Sequence, residues 1–296
     1  MKVVKLVKRY HGWERSWNAA MRIDAHQHYW LIERGDYGWI TPDIPVLYRD
    51  YLPVHLEPEL ARHRIDRTVL VQAAPTEAET EYLLGLAEQS DSIGGVVGWL
   101  DPADPACLSL CSRLRQHPKL VGFRVMIQEM KDAADVLTPM FVDHMSYLAE
   151  QKIPVDLLVT ASQLDDTLRL LELVPGLHGV LDHLGKPHIA AGELEPWRSQ
   201  LAAVAAHPGM YCKLSGMVTE ADHAAWQPDD FVPYVRHATE VFGSNRVLFG
   251  SDWPVCRMAA EYEEVMSALL YALPESWGEA EHSRLFGLNA KEFYQL

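Results

Sequence analysis

Two histidines, His26 and His28, lie two residues apart in the stretch RIDAHQHYW (residues 22–30), behind the carboxylate Asp24 and a strand-like apolar entry. Positions i and i+2 of an extended chain share a face, so both imidazoles point to one side. A further histidine and a carboxylate brought in from other strands would complete a group able to hold a divalent metal or to polarise a carbonyl. The chain has 14 histidines, and any one alone is more often a surface or hydrogen-bonded residue than a ligand. The rest of the group must therefore be sought in the elements that could carry it to the same place.

Short β-branched runs bounded by turns supply those elements. They are MRIDAH (21–26), RTVLVQ (67–72), GGVVGW (94–99), LVGFRV (120–125), IPVDLLV (153–159), HGVLDH (178–183), MYCKLS (210–215) and RVLFGSD (246–252). Amphipathic helical patterns lie between most of them. Residues 76–90 open with Thr76 as N-cap and Glu79 three residues on, a capping-box pattern. Residues 161–174 start at Ser162 and place Leu164, Leu168 and Leu171 on one face. Eight strand–helix units with mostly apolar strands predict an α/β fold, a single-domain (β/α)8 TIM barrel spanning residues 21–296. An open doubly wound sheet would be expected to carry a Gly-rich phosphate loop after its first strand, and DAHQHYW is nothing like one. The longest connection, residues 29–55, holds Trp30, Tyr37, Trp39, Tyr48 and Tyr51. It reads as a lid or pocket wall, or equally as a flap packed on the body.

Barrel chemistry collects at the C-terminal strand ends. Those ends supply Asp24, His26 and His28, then Gln72, Trp99, Arg124, Asp182 and His183, Lys213, and Asp252 followed by Trp253. Strand five offers no histidine. Asp252 could act as general base toward water, with His26, His28 and His183, or one Zn²⁺ held by some of them, stabilising an oxyanion. Arg124 and Lys213 could bind hydroxyls or a carboxylate, and Trp30, Trp99 and Trp253 could stack on the apolar face of a ring. Lys213 paired with a carboxylate, and tryptophans serving as ordinary packing, are the plainer readings. Asp24 lies deeper and suits a role in orienting a histidine. Lys186 lies in the loop beyond strand six. No GxSxG elbow is present, which argues against a serine hydrolase.

Taken together, DAHQHYW, LDHLGKP and LFGSDWPV resemble the amidohydrolase superfamily, amidohydrolase 2 type. More narrowly they resemble its sugar-lactonase branch, the L-fuconolactonase- and L-rhamnonolactonase-like enzymes related to 2-pyrone-4,6-dicarboxylate lactonases. VLVQA, VGFRV and CKLSG fall where that branch has similar strands. The resemblance implies that His26, His28, His183 and Asp252 surround the reacting carbonyl of an aldono-lactone, that Arg124 contacts substrate, and that Gln72 lies at the same site. With Arg124 ending strand four in place of a bridging lysine or glutamate, and no histidine on strand five, at most one metal, such as zinc, is expected on His26, His28, His183 and Asp252, and it need not be required. The alternatives are a mononuclear zinc-dependent decarboxylase of the same superfamily and a non-catalytic sugar-binding barrel.

Composition narrows the partners. A formal net charge of −15 repels phosphate backbones and disfavours nucleic acid, and with it a nuclease or phosphoesterase. No segment has the apolar length to span a bilayer. Cys107, Cys111, Cys212 and Cys256 form no CxxC pair and read as buried free thiols of a cytoplasmic enzyme. Residues 1–20, with five basic residues and one acidic, lack a secretory core and read as a peripheral extension ahead of Met21. The expected partner is a small sugar lactone, and a homo-oligomer is compatible with the sequence.

Overall fold

The apolar runs become eight parallel strands paired in chain order: β1 (Ile23–Gln27), β2 (Arg67–Val71), β3 (Ile93–Trp99), β4 (Leu120–Met126), β5 (Val155–Leu158), β6 (Gly179–Leu181), β7 (Met210–Leu214) and β8 (Val247–Phe249). The structure, a computed structural model, describes residues 21–296; the extension expected over residues 1–20 lies outside the described residues. A parallel bridge between Gln27 and Trp253 brings β1 against β8 and nearly closes the ring. There the His28 N–H donates to Trp253 O (2.7 Å) and the Asp252 N–H to His26 O (2.8 Å).

A helix follows each strand and covers it: α1 (Pro53–Arg62), α2 (Glu77–Gln89), α3 (Cys107–Leu114), α4 (Pro139–Glu150), α5 (Leu164–Leu173), α6 (Trp197–Ala205), α7 (Pro228–Phe242) and α8 (Tyr262–Ala272). Two short helices, α9 (Glu279–Ser283) and α10 (Asn289–Tyr294), end the chain. The TIM-barrel architecture expected from the strand–helix alternation is thus present. Alternate strand residues divide the core in two. Ile23, Ala25, Val69, Val71, Val97, Val180 and Leu248 form one cluster with Ala290, Phe293 and Tyr294 of α10. Their neighbours Leu70, Val96, Phe123, Leu157, Leu181 and Phe249 belong to the larger layer beneath the helices. None of the helices of the described residues is long and apolar enough to cross a membrane. All four cysteines are buried and unpaired.

Three local expectations are corrected. Strands six and eight are shorter than their apolar runs, ending at Leu181 and Phe249, so His183 and Asp252 stand on turns beyond them. Ahead of α5 the residues Ala161–Gln163 form a separate 3-10 turn, and the buried face is Leu164, Thr167, Leu170 and Leu171, with Leu168 only half-buried. The capping box of α2 is half made. Thr76 Oγ1 accepts from the Glu79 N–H (3.1 Å), but the Glu79 carboxylate turns away to accept from Ala73 N–H and Ala74 N–H (2.8 Å to the latter). It thereby braces the loop after β2.

Glu79 is fully buried, and burial, only partly opposed by the Ala74 and Ala73 N–H groups, pushes its carboxyl up to about 7. A carboxyl raised in the folded state adds stability at low pH that is lost as pH rises through its folded value. From an ordinary value of 4.5 to about 7 this amounts to at most about 3 kcal/mol. Glu79→Gln removes the titration. Its melting temperature should therefore gain on wild type between pH 5 and pH 8. A difference that stays constant over that range would show that Glu79 does not titrate there.

Candidate active site

At the C-terminal end of the barrel, β1 and the turns after β6 and β8 bring His26, His28, His183 and Asp252 together. The β1–β2 register shifts between Asp24 and Gln27, and the two β1 imidazoles converge edge-on, centroids 4.9 Å apart. Asp24 holds the backbone here: its Oδ1 accepts from His26 N–H (3.1 Å) and Ser251 N–H (2.9 Å), its Oδ2 from Tyr262 OH (3.0 Å). It orients main chain, where the sequence suggested an imidazole.

His183 and Asp252 reach the group from left-handed backbone, φ 54° and 57°. Such a conformation costs a residue with a side chain about 1–2 kcal/mol. His183 begins a run of four positive-φ residues with Leu184, Gly185 and Lys186, closed by the Lys186 N–H donating to His183 O (2.8 Å). Two glycines make room for the imidazoles. A Cβ on Gly216 would meet His183 Nδ1 at 2.6 Å, and one on Gly250 would meet the His26 Cβ at 2.6 Å.

Asp252 Oδ1 lies 3.3 Å from His28 Nε2, 3.7 Å from His26 Nε2 and 3.9 Å from His183 Nε2. Burial opposes its ionisation, but His183 and the hydrogen bond with His28 outweigh burial and hold the carboxyl below its usual range. Burial pushes His26 and His183 well below the ordinary imidazole value, with Lys213 adding to the effect at His26. At neutral pH the group sets a carboxylate beside the neutral imidazoles of His26 and His183.

These donors fit one divalent ion. His28 Nδ1 lies 2.8 Å from Val71 O, which can only accept, so that nitrogen carries a proton and Nε2 is the atom a metal would take. His26 Nε2 faces it at 3.1 Å. His26, His183 and Asp252 offer ligand atoms within 4.8 Å of one another. Asp182 Oδ1, 3.3 Å from His26 Nδ1, is the carboxylate partner such a ligand usually has. A second candidate group, His26, Asp156 and Asp182, surrounds the Lys213 ammonium. Lys213 Nζ hydrogen-bonds Asp156 Oδ2 and lies 3.1 Å from both Asp182 Oδ1 and His26 Nδ1.

The cavity above this group, about 260 Å³, is lined by His28, Arg124, His183 and Asp252 among the predicted residues. Arg124 enters it while its Nε lies 3.5 Å from Asp182 Oδ2 and its Nη1 donates to Gln72 O (3.3 Å). The other predicted contacts lie elsewhere. Lys213 is wholly buried in its cage of carboxylates. The Gln72 side chain is buried and does not line the cavity. Trp99 lines a neighbouring groove with Asp101 and Phe141. Trp30 packs on Tyr37, Trp39 and Tyr51, and Trp253 on Tyr29 and Tyr51.

The sequence reading missed Trp39, which is 37% exposed, lines the cavity and donates from Nε1 to Ala73 O (2.8 Å). The long β1–α1 connection is therefore both a packed flap, through Trp30, and a cavity wall, through Trp39. Also missed were Ser215, whose Oγ meets His183 Nδ1 at 2.9 Å, and an apolar wall of Met126, Leu158, Val255 and Met258. Asp156 was passed over as well, although a charge inside the apolar run VDLLV was itself a signal of a buried pair.

Comparison with known proteins identifies the family. A family model described as Amidohydrolase matches residues 23–296. An L-fucono-1,5-lactonase of Burkholderia ambifaria is 36% identical over 280 residues, covering 93% of this chain and 96% of that protein. Another, from Burkholderia multivorans, is 38% identical over 295 residues, covering 94% and 97%. A crystal structure of an amidohydrolase from Burkholderia multivorans with bound zinc superposes with a TM-score of 0.87 at 38% identity, covering 94% of this chain and 100% of that one. From Ile23 to its last residue, the chain belongs to the amidohydrolase family.

Proposed function

We propose that the protein is a lactonase, hydrolysing an aldono-lactone such as L-fucono- or L-rhamnono-lactone with Asp252 as general base. The observation that carries this reading is the ionised Asp252 carboxylate set among three imidazoles on the floor of a cavity with an apolar wall. The Burkholderia relatives named for L-fucono-1,5-lactone support it. A lactone is an activated ester and needs no covalent nucleophile. Asp252 takes a proton from water as the water oxygen bonds to the carbonyl carbon. When the ring C–O bond breaks, the same proton passes to the departing ring oxygen. The Arg124 guanidinium is a donor toward oxygen atoms of the substrate, and Trp39 with Met126, Leu158 and Met258 excludes water from its apolar face. His26, His28, His183 and Asp252 would hold a zinc ion, which when bound would polarise the carbonyl as a Lewis acid.

Proton release from a panel of aldonolactones tests the reading. Turnover above background is expected for at least one five- or six-membered sugar lactone. No turnover, together with CO₂ release from an aromatic acid, would put the decarboxylase reading in its place. Asp252→Asn keeps the shape but cannot accept the proton, so turnover should fall on the order of a hundredfold or more while folding and inhibitor binding persist. A folded variant with near-wild-type turnover would remove Asp252 from the mechanism.

Arg124→Met should raise the Michaelis constant by about tenfold or more, the worth of a lost charged hydrogen bond, with a smaller effect on melting temperature. An unchanged constant in the folded variant would make Arg124 purely structural.

Elemental analysis should find no more than one divalent metal per chain. The Lys213 ammonium already occupies the second cluster of ligand atoms, and a reproducible ratio of two would contradict this.

A further inference from the structure

Among the described residues, two long cationic side chains line the cavity, Arg124 and Lys186. Arg124 is held by Asp182 and by Gln72 O. Lys186 is held more loosely: its nearest carboxylate oxygen, Glu220 Oε1, lies 3.8 Å from Nζ, beyond hydrogen-bond reach. Lys186 ends the left-handed run that starts at His183, with φ 52°, and that one turn delivers His183 and Lys186 to the same cavity. Such strain persists where the surrounding structure over-determines it, and it clusters at functional sites. Glu220 lines the cavity too, and its backbone is fixed by the Ala190 N–H donating to Glu220 O (2.9 Å). Lys186 lines the cavity together with Asp252 and His183, and its positive charge acts on both.

Lys186 brings a mobile charged donor to the group around Asp252. His28 directs Nδ1 at Val71 O (2.8 Å), and its Nε2 and the His26 Nε2 face each other at 3.1 Å, so both imidazoles are engaged within the group. A carbonyl oxygen gathering negative charge needs a charged donor that can move onto it.

Given lactone hydrolysis, we propose that Lys186 is a further catalytic residue, donating a hydrogen bond from its ammonium to the carbonyl oxygen as it becomes an oxyanion, with Glu220 as its positioning residue. As water adds to the carbonyl carbon, the carbonyl π pair moves to oxygen beside Lys186. On collapse that pair returns, the ring C–O bond breaks, and the proton held by Asp252 goes to the ring oxygen. Lys186 keeps all its protons throughout. The same contact then holds the carboxylate of the hydroxy-acid product, so Lys186 should govern both turnover and product affinity.

The test measures kcat, KM, inhibition by the product aldonate and melting temperature for wild type, K186M, K186Q, K186R and E220Q, on an aldonolactone that wild type hydrolyses. Two neutral replacements keep the test open should one fail to fold. The neutral variants should lose about a hundredfold in kcat, the usual worth of an oxyanion donor, with little change in KM and about tenfold weaker product inhibition. K186R should recover part of the kcat loss. E220Q should lower kcat by several-fold at an unchanged melting temperature. Folded neutral variants with kcat within threefold of wild type, or with KM alone raised, would overturn the assignment. So would an arginine variant no better than the neutral ones. If wild type opens no lactone at all, the lactonase reading fails first, and that outcome is distinct from a working enzyme indifferent to Lys186.

Discussion

One buried ammonium holds the site together. Lys213 on β7 reaches Asp156 on β5, Asp182 just past β6 and His26 on β1, and lies 5.6 Å from the ring centroid of Tyr294 on α10. All of these side chains are buried. Removing a charge from water costs several kcal/mol, and losing one partner of a buried pair typically costs about 3–5 kcal/mol, because the remaining charge is stranded. Here two carboxylates would be stranded at once. Burial still dominates at Asp156, whose carboxyl is pushed up to about 6 despite the lysine, with Asp182 adding to the rise. At Asp182, by contrast, Lys213 and Arg124 overcome burial and hold the carboxyl low. Tyr294 completes the network by donating to Asp156 Oδ1 at 2.7 Å, so α10 is tied to the base of the candidate site.

From that anchor outward, position is set more by turns than by strands. Two of the four residues about the cavity floor, His183 and Asp252, stand on left-handed backbone after three-residue strands. At His183 the early strand end frees the chain to twist the side chain inward, where a continued strand would have alternated it away from the face of Val180. The unfavourable dihedrals are held by closely packed neighbours, with Gly216 and Gly250 leaving the only room the imidazoles have on those sides. Stability is spent locally for geometry, as is common where groups must be preorganised.

This division explains what was legible in the sequence. The barrel could be read because parallel strands buried on both faces leave uninterrupted apolar runs, and helices leave their period. His26, His28, His183 and Asp252 could be read because each follows such a run directly. The direction in which a side chain leans at a strand end has no local signal. The sequence therefore left Trp30 and Trp253 open between sugar platforms and packing, and Trp39 could not be distinguished from its neighbours in the long connection. Lys213 read as a substrate contact or as the partner of an unidentified carboxylate, because Asp156 is 57 residues away and pairing at that range leaves no pattern along the chain. Glu79 illustrates the same point at short range: the capping-box spacing was right for Thr76, but a tertiary demand from the β2 loop took the carboxylate.

The charges of the molecule also fall into two populations with different tasks. Asp156, Asp182 and Lys213 are sealed in and set shape. Arg124, Lys186, Glu220 and Asp252 line the cavity and meet whatever enters it. Around both lies a chain with a formal net charge of −15. A neutral lactone, the proposed substrate, would approach such a surface without penalty, since a field acts on net charge. Its ring-opened product would be an anion, met inside by Arg124 and Lys186 and repelled once outside by the rest of the molecule. The same acidity that disfavours nucleic acid therefore suits a reaction whose substrate is uncharged and whose product is a carboxylate.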